Sequence, residues 1–243
     1  MGKPELLEWL AFRLGPLHIG ATVLTTWLLM VLLVGLAWAG TRRLRVEDPS
    51  RWQSALEATV LALQGAIEAA APGQAARLLP FIGTLWLFIA TANLAGLVPG
   101  LRSPTGDLSL TAALALLVFG AVHWFGIRID GLRGYLRHYL EPNPILLPFH
   151  LLGEVTRTLA LAVRLFGNMM SLEMAALLML LVAGLLAPVP LLMLHLIEAL
   201  VQAYIFGTLA LVYVAGALQS HEMSHRETDG SSPPQDDDLQ KKE

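Results

Sequence analysis

From Phe149 to Ala187 the chain carries helix-forming, largely apolar residues for nearly 40 positions with no internal proline. At 1.5 Å per residue that is about 58 Å, nearly twice a hydrocarbon core of about 30 Å. Such a helix either splits into two spans or lies strongly tilted, with part of its length in protein or water. No Gly-Pro turn interrupts it, so one tilted helix is expected over 149–187. Pro188-Val189-Pro190 then reads as a short turn, and a second long apolar segment covers 191–218. Together the two predict an antiparallel helical hairpin.

The remaining runs place this hairpin in a membrane domain. Apolar stretches at 18–40, 80–99 and 108–127 each suit one span, the second closed by Pro99-Gly100. With 55% hydrophobic and 14% charged residues among 243, the chain departs from soluble globular composition. The fold class expected is an all-α membrane protein with about five membrane-embedded helices. Residues 50–79 have apolar positions at Leu56, Val60, Leu63 and Ile67, too often interrupted by charges for a span, and read as an interfacial helix. Residues 1–17 lack a basic-then-apolar signal pattern, so the first span is expected to be retained. Residues 219–243, polar and acidic, are expected to be disordered. The domain is thus a single unit over 18–218. The absence of cysteine excludes disulfides, thiolate catalysis and iron–sulfur ligation.

Arginines orient the spans. Arg42, Arg43, Arg45, Arg51 and Arg77 lie between the first and second spans, and Arg128, Arg133 and Arg137 between the third span and the hairpin; only Arg102 lies between the second and third. Both basic connections are expected in the cytoplasm, with the N-terminus outside and the C-terminus inside.

The hairpin also holds Glu154, Arg157, Arg164 and Glu173 on its first arm and His195 and Glu198 on its second. A charge at the bilayer centre costs about 2.5–3.5 kcal/mol on insertion scales, and arginine cannot escape by losing its proton. These groups should therefore line a wet cavity or a protein interface. At 100° per residue Arg157 and Arg164 share a face, Asn168 lies about 40° further round, and Glu173 points about 180° from Arg164. Arg164 and Glu173 are thus no intrahelical pair. On the second arm His195, Glu198, Gln202, Phe206 and Tyr213 form a stripe whose imidazole, carboxylate and amide suit a proton or cation relay. Bland readings stand beside these: His195 as a core histidine, Glu198 as its burial partner, Glu154 with Arg157 as a structural pair, His123 as packing, and Asn93 and Asp107 as turn or cap residues. No phosphate-binding glycine loop, HExxH zinc motif or haem histidine set occurs, so neither cofactor nor resident metal is expected.

RLFGNMMSLE (Arg164–Glu173), followed by HLIEALVQAYIFGTLALVYV (His195–Val214), resembles the ion-conducting a subunit of rotary F-type ATP synthases. PFIGTLWLFIATANLAGLVPG (Pro80–Gly100) and PTGDLSLTAALAL (Pro104–Leu116) resemble that family's second and third spans in the same order. The stretch LRSPTGDLSLTAALAL resembles a variant bacterial branch linked to sodium transport. The resemblance implies a non-catalytic stator subunit of a bacterial inner membrane. Its partners would be a c-subunit ring, b-type peripheral stalk subunits, the soluble ATPase head and lipid, with no nucleic acid. Arg164 matches the essential arginine that faces the ring and separates two aqueous half-channels. Glu173 matches the acidic or polar site on the opposite face, His195 its partner position on the second arm, and Gln202 the glutamine beside the arginine. Leu172 and Glu198 depart from many relatives, which leaves the division of the relay between His195 and Glu198 open. Glu173 and Glu198 offer a transient path to sodium as well as to protons. A free-standing ion transporter or antiporter is the rival class.

Overall fold

The computed structural model describes residues 13–14, 17–18, 20–42, 44, 50–98, 101, 103–140, 147–183 and 188–230. Six helices make up almost all of it: α1 (Ala21–Thr41), α2 (Arg51–Ala70), α3 (Ala75–Ala95), α4 (Leu108–Leu140), α5 (Leu147–Ala183) and α6 (Pro188–Gly230). A two-residue antiparallel pairing, Arg13 with His18 and Leu14 with Leu17, precedes α1. Stretches within α1, α3, α4, α5 and α6 are long and apolar enough to cross a membrane, which establishes the all-α, five-span class. The expectations for 1–12, for Arg43 and Arg45, for Pro99-Gly100 and Arg102, for 184–187 and for 231–243 lie outside the described residues.

Several boundaries move, each for a local reason. Ser50 accepts from the Gln53 N–H at 3.3 Å and caps α2, which stops at Ala70. Gly73, at φ 77°, turns the chain, and α3 begins at Ala75 with Pro80 already inside it. The segment 50–79 is therefore one helix, a turn, and the first residues of the second span. α4 continues past the expected end at 127 and kinks at Gly131, where φ is 70°, so the basic connector is itself helical. Pro188-Val189-Pro190 is not the turn; it opens α6, because proline lacks only an N–H that the first helical turn leaves unpaired anyway. α6 also runs through the polar residues after 218 to Gly230, correcting the expectation of disorder over 219–230. No glycine or proline interrupts that stretch before Gly230, and polarity alone does not end a helix.

The core lies where α3, α4, α5 and α6 meet. α3 buries Leu78, Ile82, Trp86 and Ile89 at helical spacing, and α5 buries Leu161, Leu165, Met169 and Leu172. α6 answers with Ala199, Ala203 and Gly207, small residues four apart that admit a close neighbour. The indole of Trp86 occupies that space: it stacks on Tyr204 at 6.1 Å and donates to the Tyr204 carbonyl at 3.2 Å. A Cβ at residue 207 would overlap the indole, which explains the glycine.

Candidate functional site in the membrane domain

α5 is the axis of the site. Its exposed face carries Val163, Arg164, Met170 and Met174, while Leu161, Leu165 and Met169 turn into the core. The periodicity that buries those three forces Arg164 outward. Among the described residues no hydrogen bond or ion pair engages its guanidinium.

Glu173 points the other way, as its phase requires. Its Oε1 accepts from the Ser103 backbone N–H at 3.1 Å, and a Cβ at Gly106 would lie only 3.4 Å from that oxygen. The short 3₁₀ turn Pro104–Gly106 thus packs against the carboxylate. Behind it runs a buried polar network. Asn93, fully buried, donates through Nδ2 to the Ala199 carbonyl of α6 at 3.0 Å and accepts at Oδ1 from the Thr105 hydroxyl at 2.7 Å. The Thr105 and Ser103 hydroxyls stand 2.6 Å apart, and Ser103 Oγ donates to the Ala92 carbonyl at 3.0 Å. Two hydroxyl protons therefore serve three contacts, and reversing one bond reorients the chain without moving a heavy atom. Asp107 takes the capping role: its Oδ1 accepts from the Ser109 N–H at 2.8 Å at the start of α4. Burial works to raise its pKa, but hydrogen bonds from the Ser109 backbone and hydroxyl and from Thr22 outweigh that, leaving it below the usual carboxylate value.

On α6, His195, Gln202 and Phe206 fall on the buried face with Ala199 and Ala203, Tyr213 is half-buried beside them, and Glu198 is half-buried. Asn168 Nδ2 donates to Gln202 Oε1 at 2.7 Å, tying the two hairpin arms together one turn beyond Arg164. His195 Nε2 and Gln202 Nε2 are buried with no hydrogen-bond partner among the described residues. His195 and Glu198 make no bond to one another there, so the burial pair considered from sequence does not form. The stripe lies mainly on the buried face, but its members do not form a continuous hydrogen-bonded chain.

Toward the other end of α5 a second polar group gathers. Glu154 Oε2 stands 3.4 Å from His123 Nε2 of α4, and the Arg157 guanidinium lies over the Tyr213 ring at 4.5 Å. The Glu154–Arg157 pair considered from sequence is therefore replaced by two contacts to other helices. Glu154, Arg157, Thr158 and Tyr213, with Val118 and Leu161, line a cavity of about 20 Å³. Glu154 contacts His123 near one end of α4's apolar stretch and Glu173 contacts Ser103 in the turn before the other end, with Arg164 ten residues from one and nine from the other. Sequence reasoning took His123 as packing and missed Ser103 and Thr105. Their only signal was a polar side chain in or beside an apolar span, and the partners that matter, Glu154, Glu173 and Asn93, are 31, 70 and 12 positions away.

Five stretches long and apolar enough to span, holding carboxylates, amides and two imidazoles, define a polytopic membrane protein. The profile of the ATP synthase A chain family matches residues 23–215. ATP synthase subunit a 2 of Pelobacter propionicus is 66% identical over 211 residues, covering 87% of this chain and 92% of that one. ATP synthase subunit a 1 of Hahella chejuensis is 64% identical over 87% of this chain and 88% of its own, and ATP synthase subunit a of Legionella pneumophila is 51% identical over 92% and 97%. The chain belongs to the ATP synthase A chain family.

Proposed function

We propose that this chain is the stator ion channel of an F-type ATP synthase, passing protons or sodium to and from the carboxylates of a rotating c-ring. The observation that carries the reading is the arrangement along α5. Arg164 faces outward with no partner among the described residues, while Glu173 and Glu154 face inward near opposite ends of the membrane-crossing stretch. A guanidinium exposed on an apolar face is costly against lipid and is relieved by a carboxylate on a neighbouring subunit. An ion entering by one polar group neutralises a ring carboxylate. It then rides the ring round and leaves by the other group, and Arg164 keeps the two paths from joining. Each charge crossing is driven by about 2.3 kcal/mol per 100 mV.

By the arginine distribution, the Glu173 group opens outside and the Glu154 group opens to the cytoplasm, with the N-terminus outside and the C-terminus inside a bacterial inner membrane. The hairpin lies tilted against the ring, α2 at the interface, and the stalk subunits and ATPase head complete the machine. His195, Glu198, Gln202 and Asn168 line the path between the arms. The phosphoryl chemistry belongs to other subunits, and this one needs no cofactor or resident metal.

Arg164→Ala should abolish ion-coupled ATP synthesis in membrane vesicles while the complex still assembles. Arg164→Lys should also fail, because an ammonium does not offer the planar fork of donors. Wild-type coupled synthesis by Arg164→Ala overturns the reading.

A further inference from the structure

We propose that His123 and Glu154 form a proton-transfer pair at the cytoplasmic mouth, a role that rests on the channel reading above. His123 Nδ1 lies 2.8 Å from the Phe119 carbonyl. A carbonyl oxygen only accepts, so Nδ1 carries a hydrogen and Nε2 is left as the acceptor nitrogen. Nε2 faces Glu154 Oε2 at 3.4 Å, and that buried oxygen makes no hydrogen bond. The ring is held in this orientation by contact with Phe119 at 4.2 Å between centroids. One proton therefore has two homes: neutral His123 with protonated Glu154, or imidazolium with carboxylate. Passing it breaks the O–H bond, forms the N–H bond and needs no other reactant.

The surroundings suit transfer rather than a locked salt bridge. At 3.4 Å the pair is too long for a good hydrogen bond, and it transfers by shortening or through one water. The adjoining cavity of about 20 Å³ exceeds the roughly 10–15 Å³ that a water needs and offers polar walls in Glu154, Arg157, Thr158 and Tyr213. Arg157 of α5 and Tyr213 of α6 line the cavity beside Glu154. The Arg157 guanidinium rests on the Tyr213 ring instead of pairing with Glu154, so the carboxylate stays free to take up and release a proton.

The test uses the whole complex in liposomes, reading ATP-driven proton pumping from pH 5.5 to 8.5. His123→Gln keeps an N–H near the Nε2 position but has no transferable proton. Pumping should fall about tenfold or more, at or below the usual 10²–10⁴-fold contribution of a positioned acid–base group, and its pH dependence should change shape. Glu154→Gln should do the same, the double variant should be no worse than either, and imidazole should partly restore His123→Ala. A purely structural histidine would not respond to imidazole. Wild-type rate and pH profile in His123→Gln, or pumping of sodium unaffected by it, overturns the pair. Arg164→Ala in the same preparation separates the two failures. If it is dead while His123→Gln is normal, only the pair falls; if it pumps normally, the channel reading falls first.

Discussion

Gly207→Ala probes how α3 and α6 are held together. The new methyl group would overlap the Trp86 indole, which is itself bonded to the Tyr204 carbonyl and stacked on the Tyr204 ring. Overpacking costs about 1–3 kcal/mol. If the indole leaves, about 0.5–1.5 kcal/mol is lost with the hydrogen bond and a similar amount with the aromatic contact. Against this, alanine in a helix gains about 1 kcal/mol over glycine. By either route the net expectation, after the helix gain, is a destabilisation of up to about 2 kcal/mol, read as a lower midpoint for thermal dissociation of the purified complex and a shift in tryptophan emission. The decisive comparison is Gly207→Ala in a Trp86→Ala background. With the indole gone only the helix term remains, so the second substitution should be neutral or stabilising by up to about 1 kcal/mol. An equal loss in both backgrounds refutes the packing argument.

Two further substitutions follow from bonds described above. Asp107→Ala should cost about 0.5–2 kcal/mol by uncapping α4, visible as faster amide hydrogen exchange at Ser109 and Thr111. Because the folded pKa of Asp107 is depressed, its contribution is complete above the unfolded value near 3.9 and is lost as pH falls below that through the folded value, so the wild type should approach the variant only in strong acid. Asn168→Ala and Gln202→Ala should each weaken the hairpin, with a coupling of about 0.6 kcal/mol and at most about 1.7, the range found for interhelical bonds in membranes. Strictly additive thermal shifts would show that the 2.7 Å bond carries nothing.

The features legible in the sequence were those written in one helix. The opposite phases of Arg164 and Glu173, the polar stripe on α6 and the excessive length of α5 all follow from periods of 3.6 and a rise of 1.5 Å. Helix ends were less legible. Pro188 and Pro190 look like a turn because proline ends helices, yet it also starts them, and only the neighbouring backbone decides. Partners across helices were least legible. Glu154 and Arg157, three apart, invite pairing, but α4 supplies an imidazole and α6 a phenol at better positions. Nothing in a single sequence ranks a neighbour three residues away below one 31 or 56 residues distant.

That ranking bears on the machine. Had Glu154 paired with Arg157, its charge would be fixed and that end of α5 would hold a permanent ion pair. Placing Arg157 over Tyr213 removes the cation from the carboxylate while keeping it in the cavity wall. At the other end Glu173 accepts from the Ser103 backbone N–H, beside the neutral side chains of Asn93, Thr105 and Ser103. Glu154 thus sits beside His123 with no salt bridge to Arg157 or to another permanent cation among the described residues. Arg164, between Glu154 and Glu173 in sequence and turned to the outer face, is left as the cation available to a carboxylate from another subunit. A permanent cation engaging Glu154, introduced for instance by Thr158→Arg, should slow ion transfer on that side alone.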